Sequence, residues 1–329
     1  MSILVTGGAG YIGAHVVRLL QERGEKIVVV DDLSSGYTER IGGAPLLQVD
    51  ISRDEAYRQL TDVMVDEDVE AVIHFAARKQ VHESMERPSW YYRQNVGGIA
   101  TLTRAMYDAG IDRMIFSSSA AVYGTPGEAL VTETTPTSPI NPYGETKLIG
   151  EMLLRDCARA WNLKWVGLRY FNAAGAGWDD LADPSTLNLI PIVLQRLHEK
   201  LVPQIFGDQY PTADGTCVRD YIHVMDLAQA HLAALDALRD GLLEHQIFNV
   251  GTGAGTSVKE IIAGLRRELG WEFPVEVIAA RPGDSAQIVA DPSLIQAEIG
   301  WKAQRDVQQI LSSVVSVWQQ SKKRIEIPS

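Results

Sequence analysis

A phenol and an ammonium stand one helical turn apart in "NPYGETK" (141–147), where Tyr143 and Lys147 leave the same face of a predicted helix. Asn141 suits the N-cap and Pro142 the first helical position, so a helix is expected from 143 to about 161. A tyrosine of pKa about 10 is ionised to roughly one part in a thousand at pH 7, and turning it into a base takes about three pK units, roughly 4 kcal/mol. A neighbouring ammonium and the positive charge of an oxidised hydride-accepting cofactor would both favour the phenolate in a partly desolvated site. "FSSSA" (116–120) adds hydroxyls at the end of an apolar run, with Ser117, Ser118 and Ser119 available. Ser119 can hold a substrate oxygen while it becomes a carbonyl, and Tyr143 can accept the hydroxyl proton. Tyr/Lys pairs at this spacing more commonly decorate a solvated helix face, so the reading depends on a hydride acceptor beside them.

That acceptor site is legible near the N-terminus. "TGGAGYIG" (6–13) carries Gly7, Gly10 and Gly13 between an expected strand and an expected helix. One glycine permits the tight turn, one lets backbone amides approach a diphosphate, and one allows close helix–sheet packing. The diphosphate would sit at the positive end of the helix. An isolated glycine triplet can equally be an ordinary turn, but here the next strand closes on an acid, Asp31 in "VVVDD". A carboxylate there can accept from both adenosine ribose hydroxyls and repels a 2′-phosphate, which favours NAD over NADP. Asp32 shares this role or faces solvent; Asp50, ending "LLQVD", meets the adenine edge or forms a turn. "HFAARK" (74–79) ends a further strand at the same rim.

The elements that position these groups alternate regularly. "ILVTG" (3–7), "KIVVVDD", "LLQVD", "AVIHFA", "RMIFSSS" and "KWVGLRY" read as buried strands, with helices near 11–24, 53–65, 89–109 and 143–161 between them. This is the pattern of a doubly wound, Rossmann-type parallel α/β sheet. After Phe171 the alternation stops. Residues 172–329 read as a smaller C-terminal α/β domain, while elements in about 221–253 return to the first domain, residues 1–171. Further helices are expected near 257–269 and 305–319.

Composition sets the outer bounds. The chain of 329 residues is 46% hydrophobic and 22% charged, and its net charge of −12 argues against nucleic-acid or anionic-membrane partners. Met1 runs directly into "SILVTG", which reads as a strand and not as a signal peptide. No segment reaches the roughly eighteen apolar residues of a membrane span, so a cytoplasmic chain is expected. Cys157 and Cys217, without a CxxC, imply reduced thiols, with Cys157 in the core. The seven histidines show no metal-ligand spacing, and His74 and His223 are expected to be satisfied core residues; no metal is expected.

"TGGAGYIG", "SSSAAVYG", "YGETK", "RYFN" and "VRDYIHV" together resemble the extended short-chain dehydrogenase/reductases. "FGDQYPTADGTCVRDYIHVMDLA", "FNVGTG" and "RPGDSAQIVAD" extend the likeness to that family's nucleotide-sugar 4-epimerases over almost the whole chain. The resemblance implies that bound NAD takes hydride from C4 of a UDP-hexose and returns it to the other face of a 4-keto sugar. UDP-galactose and UDP-glucose would then interconvert without net oxidation. Carried over, Tyr143 is the acid/base, Lys147 its tuner and ribose ligand, and Ser119 the hydroxyl partner. NAD contacts fall on Tyr11, Ile12, Asp31, Asp50, Ile51, Phe75, Ala76, Lys79, Asn95, Ser117, Tyr170 and Phe171. Substrate contacts fall on Lys79, Asn172, Asn188, Leu189, Phe206, Arg219, Tyr221, Arg281 and Asp284, with Ile288 where pocket size is set in this family.

Residue chemistry agrees at the diphosphate. Arg219 and Arg281 are fork-shaped donors suited to two phosphates, although either alone reads as a surface ion pair. Ala173 stands where many relatives carry proline and should loosen its loop. The medium-sized Ile288 leans the reading toward unacetylated sugars. The alternatives are an epimerase of UDP-N-acetylhexosamines, an enzyme acting on UDP-glucuronate, and a non-catalytic NAD-binding protein. A 4,6-dehydratase is disfavoured because residues 117–119 are Ser-Ser-Ser rather than an acid-bearing triplet. The resemblance also implies a homodimer paired through the helices near 89–109 and 143–161.

Overall fold

The structure is a computed structural model that describes residues 1–127, 130–185, 187–241, 243–281 and 284–326, with side chains described through residue 320. The first half runs β1 (Ser2–Thr6), α1 (Tyr11–Glu22), β2 (Ile27–Asp31), β3 (Leu46–Gln48), α2 (Ala56–Asp66), β4 (Val69–His74), α3 (Val81–Glu86) and α4 (Pro88–Tyr91). It continues through α5 (Gly98–Ala109), β5 (Arg113–Ser119), β6 (Leu130–Val131), α6 (Pro142–Trp161) and β7 (Lys164–Tyr170). Then come β8 (Asn172–Ala174), α7 (Leu189–His198), β9 (Gln204–Phe206), β10 (Val218–His223), α8 (Val224–Asp240), β11 (Ile247–Val250) and β12 (Gly255–Ser257). The chain closes with α9 (Val258–Leu269), β13 (Glu276–Ile278), β14 (Gln287–Ala290), α10 (Ser293–Ile299) and α11 (Val307–Glu326).

Seven strands form one parallel sheet in the order β3-β2-β1-β4-β5-β7-β11. Its central strands are continuous apolar runs because both faces are covered: Ile3, Val5, Val29 and Ile73 pack toward α1 and α8, and Leu4, Val30, Val72 and Met114 toward α2, α5 and α6. The strand order reverses between β1 and β4, which opens a crevice at the carboxyl ends where ligands bind in such sheets. A second sheet, β12-β10-β14-β6 with β8 beside β10, and the β9–β13 pair are built from the C-terminal half, with β6 (Leu130–Val131) joining from the first half. A separate core of Ile190, Leu194, Ile261, Leu265, Phe273 and Leu311 holds α7, α9 and α11 together.

Two details differ from the sequence reading, and one, within 221–253, specifies it. The helix expected over 89–109 is α4 and α5 joined by a π-wound stretch, Tyr92–Gly97, a local widening of a kind often found at functional sites. Within 221–253, α8 and β11 are built onto the seven-stranded sheet, whereas β10 belongs to the second sheet. Cys157 is half-buried at the edge of a core rather than inside it, and it and Cys217 are both free. No helix of the described residues is long and apolar enough to cross a membrane.

Candidate active site

The crevice between β1 and β4 is floored by the glycine loop. Gly7 takes a left-handed φ of +70°, and a Cβ there would stand 2.6 Å from the Ala76 nitrogen. A Cβ on Gly13 would stand 2.2 Å from the Gly7 carbonyl oxygen, so the first turn of α1 can close on the loop only without one. Gly10 caps α1 with no side-chain bond, leaving the helix's first amides directed at the crevice. A dinucleotide diphosphate fits this cradle. Beside it, Asp31 is buried and accepts from the Ala9 amide (3.0 Å) and the Leu33 amide (2.9 Å). Burial raises the Asp31 pKa, and those two amides oppose the rise.

Gly7, Gly10, Tyr11, Ile12, Gly13, Asp31, Asp32, Asp50, Ile51, Phe75, Ala76, Lys79, Tyr143, Lys147 and Tyr170 all line this one cleft. Asp50 turns onto Ser52, accepting from its amide at 3.0 Å and its hydroxyl at 2.7 Å, and also meets Gln94. The Tyr11 phenol points the other way and donates to the Gly175 carbonyl at 2.5 Å. Phe171 is buried against Val122 and Tyr123, away from the cleft lining. Asn95, on the π-wound turn, uses its amide on Arg78, accepting from its nitrogen (2.8 Å) and donating to its carbonyl (3.0 Å), and also donates to Thr146 (2.9 Å). It thereby fixes the rim instead of opening onto it.

Arg78 was not singled out in the sequence. Its guanidinium reaches Asp32 and Ser34 on one bank, and donates to Gln94 at 2.9 Å on the other. It also lies 5.2 Å over the Trp90 ring. Arg78 therefore spans the cleft from the end of β2 to the π-wound stretch, a role hidden beside the more conspicuous Lys79.

The three chemical groups meet where β5 ends against α6. Ser119 caps a short turn, its Oγ accepting from the Ala121 amide at 3.1 Å, and it acts to lower the pKa of the neighbouring Tyr143 phenol. Lys147 Nζ donates to the Ser117 carbonyl at 2.7 Å, and the Ser117 side chain is buried at the same rim. Exposures of 8%, 8% and 4% for Ser119, Tyr143 and Lys147 mark a site largely removed from water. Burial moves both titrating groups toward neutrality. The Tyr143 phenol is pushed well above its ordinary range by burial, then by Tyr170, with Ser119 opposing. Lys147 falls to about 8 through burial, with Glu151 opposing. Burial sets the direction at Tyr143, so the phenolate that the sequence reading expects needs the positive charge of a cofactor as well as the ammonium.

The expected substrate residues fall into two groups beyond this point. Asn172 and Tyr221 are register partners on β8 and β10, and with Asn188 and Leu189 they line a cavity of about 490 Å³. Asn188 begins α7 and donates to Asp183 at 3.1 Å. The other group gathers at Asp284. Arg219 Nη2 lies 3.9 Å from its carboxylate, the Asp284 amide donates to the Arg281 carbonyl at 3.3 Å, and Arg281 stacks 3.7 Å over Phe206. Ile288, half-buried on β14, is the register partner of Arg219. Arg219 also donates to the Ser285 carbonyl at 2.7 Å, which leaves part of its fork for a ligand.

His74 and His223 are satisfied within the fold, by Thr6 at 2.6 Å and by the Met225 amide at 3.1 Å. Among the described residues, one group with metal-ligand proximity is found, Glu244, His245 and Glu298, none of which lines the cleft or the cavity.

The model of the NAD dependent epimerase/dehydratase family matches residues 3–251. The chain is 45% identical to the UDP-glucose 4-epimerase of Azospirillum brasilense, over 97% of this chain and 92% of that protein. It is 44% identical to the UDP-glucose 4-epimerase of Halalkalibacterium halodurans, over 92% and 90%. The crystal structure of a UDP-glucose 4-epimerase from Stenotrophomonas maltophila, with bound NAD and formylated UDP-arabinopyranose, superposes with a TM-score of 0.92 at 40% identity, covering 99% of each chain.

Proposed function

This chain belongs to the NAD dependent epimerase/dehydratase family, and from that premise we propose that it interconverts UDP-galactose and UDP-glucose by reversible oxidation at C4. NAD, when bound in the β1/β4 crevice, supplies the acceptor and donor of hydride. Tyr143 takes the C4 hydroxyl proton as the C4–H hydride leaves, and returns it to the same oxygen when hydride comes back to the opposite face of the 4-keto carbon. Ser119 stays hydrogen-bonded to that oxygen through both steps. Lys147 faces the cofactor ribose and adds positive charge beside the phenol. Arg219 and Arg281 grip the diphosphate, Phe206 and Asp284 the nucleoside, and Tyr221, Asn172, Asn188 and Leu189 complete the wall.

One observation carries the reading: Tyr143 and Lys147 line the glycine-loop crevice and are buried with Ser119 at the β5–α6 junction, in a chain with these relatives. The test is to incubate purified protein with UDP-galactose and no added nucleotide, following the sugar by proton NMR. Conversion to the same mixture from UDP-galactose and from UDP-glucose is expected, with NAD released on denaturation. No conversion from either side refutes the proposal. Ile288 favours the plain sugars, and UDP-N-acetylgalactosamine in the same assay decides that point.

On the same reading the chain works in the cytoplasm as a homodimer. Its two-fold contact would run along the helices of 88–109 and 142–161, where Tyr107 and Met152 are exposed apolar side chains.

A further inference from the structure

Tyr143, Lys147 and Glu151 recur at one-turn intervals along α6, so a carboxylate lies one turn beyond the lysine. Glu151 is only 5% exposed, and its partners are all internal. Its Oε1 accepts from the Ser118 hydroxyl at 2.6 Å and from Arg169 Nε at 2.9 Å, and its Oε2 accepts from Arg169 Nη2 at 2.6 Å. Arg169 then donates to the Tyr123 hydroxyl at 2.9 Å, and Tyr123 donates to Asn249 at 2.7 Å. This buried chain ties α6 to β5, to the turn after β5, to β7 and to β11.

Its position is what matters. Ser118 immediately precedes Ser119, Arg169 immediately precedes Tyr170, and the Ser117 carbonyl holds the Lys147 ammonium. A buried ion pair contributes little net stability compared with an apolar pair of the same shape, so stability alone gives weak reason for one here. The groups facing Lys147 are Glu151 and Tyr143 from α6, the Ser117 carbonyl and the Phe116 ring from β5, and neutral His74 from β4. Glu151 is the anion among them, and it opposes the loss of the Lys147 proton that burial promotes.

We infer that Glu151, clamped by Arg169, is a positioning residue for the proposed epimerisation, holding the end of β5 and the Lys147 ammonium in register with Tyr143. It touches neither sugar nor cofactor and acts through Lys147 and Ser118. The inference rests on the activity proposed above, but one of its tests does not.

That test compares wild type with Glu151→Gln and Ser118→Ala. The first removes the anion and leaves Arg169 uncompensated; the second removes one hydrogen bond and leaves no charge unpaired, so it covers the case in which the first does not fold. With UDP-galactose, Glu151→Gln is expected to lower kcat roughly 10- to 100-fold by misplacing the reacting groups. KM should change less than about threefold, because uniform binding of the UDP is untouched. The alkaline limb of kcat/KM should move to lower pH by about one unit, since Lys147 loses the charge that retains its proton. Ser118→Ala keeps that charge, so it should leave the limb in place and lower kcat by a smaller factor, about three- to tenfold, through the displaced end of β5. Carbon-detected NMR titration of the lysine side chains in the protein as purified, without UDP-sugar, should show the downward shift at Lys147 in Glu151→Gln. If Lys147 and the alkaline limb of folded Glu151→Gln titrate as in wild type, or if Ser118→Ala keeps the wild-type kcat, the inference is overturned. If wild type leaves UDP-galactose unchanged, the proposed activity fails while the lysine titration still judges Glu151.

Discussion

Replacing Tyr143 by Phe removes one oxygen and almost nothing else. The ring stays packed, because Tyr143 is buried in the first turn of α6 beside the cleft, and the hydroxyl gives up at most one hydrogen bond, to Ser119. Loss of a single neutral hydrogen bond of this kind costs about 1 kcal/mol of stability, so the variant should fold. The chemical loss is far larger. The phenol already sits above 10 in the ligand-free chain, so at pH 8 the phenolate lies at least two pK units, roughly 3 kcal/mol, uphill. Lys147 and a cationic nicotinamide must offset that before Tyr143 can act as base. With no hydroxyl there is nothing to offset, and kcat should fall by roughly 10²- to 10⁴-fold. KM for UDP-galactose and the NAD content should remain near wild type, because the arginine grip and the glycine cradle are intact. The assay is initial rate by NMR or by coupled oxidation of UDP-glucose, with NAD measured after acid release. A variant with kcat within about threefold of wild type would remove Tyr143 from the mechanism.

Arg281→Ala deletes a cation held 3.7 Å over Phe206 and should raise KM about tenfold or more with kcat spared, as for one lost charge-assisted contact; an unchanged KM contradicts the placement. Gly13→Ala has backbone 2.2 Å from its new Cβ and should yield protein without bound NAD and destabilised by roughly 1–3 kcal/mol; normal NAD content in the purified variant contradicts the cradle. Acid should weaken the fold, because His15, His74, His223 and His231 are held at about 4, about 3, about 4 and about 4 by burial. The unfolded chain takes up these protons below about pH 6.5 and the folded chain does not, so stability present above 6.5 is lost progressively down to their folded values. At pH 5 the loss is on the order of 1–2 kcal/mol per histidine, and equal urea midpoints at pH 7.5 and pH 5 would contradict it.

The sheet was legible because its strands are buried on both faces and spell continuous apolar runs, as "ILV" and "IVVV" do. The glycine loop and the Tyr143/Lys147 pair were legible because each demands particular residues at fixed spacing. What was hidden is tertiary. Nothing in "YYRQNVGG" marks the π-wound turn that brings Asn95 to the rim, since local propensity does not distinguish it from regular helix. Glu151 reads in one dimension as another charge on a helix, and only Ser118 and Arg169 arriving from other strands give it a role. The extent of burial at Tyr143 was hidden for the same reason: the charge next door is written in the sequence, but the removal of water is not.

That removal of water bears on how a sugar can turn over in place. A 4-keto hexose must leave one face and present the other, so every hydrogen bond fixing its remaining hydroxyls adds to the barrier, about 1 kcal/mol each. Here Ser119 and Tyr143 stand together on the β5–α6 junction, and Phe75, Ala76 and Tyr170 line the crevice beside Tyr143. The cationic donors lie apart, on β10 and in the segment before β14, with Arg281 exposed and Arg219 half-buried. On the proposed reading, binding energy is therefore drawn from the diphosphate and nucleoside, which do not move, and little from the ring, which must. Such a division keeps the ketone from escaping through the strength of the UDP anchor while leaving the hexose weakly held between half-reactions, where it has to rotate.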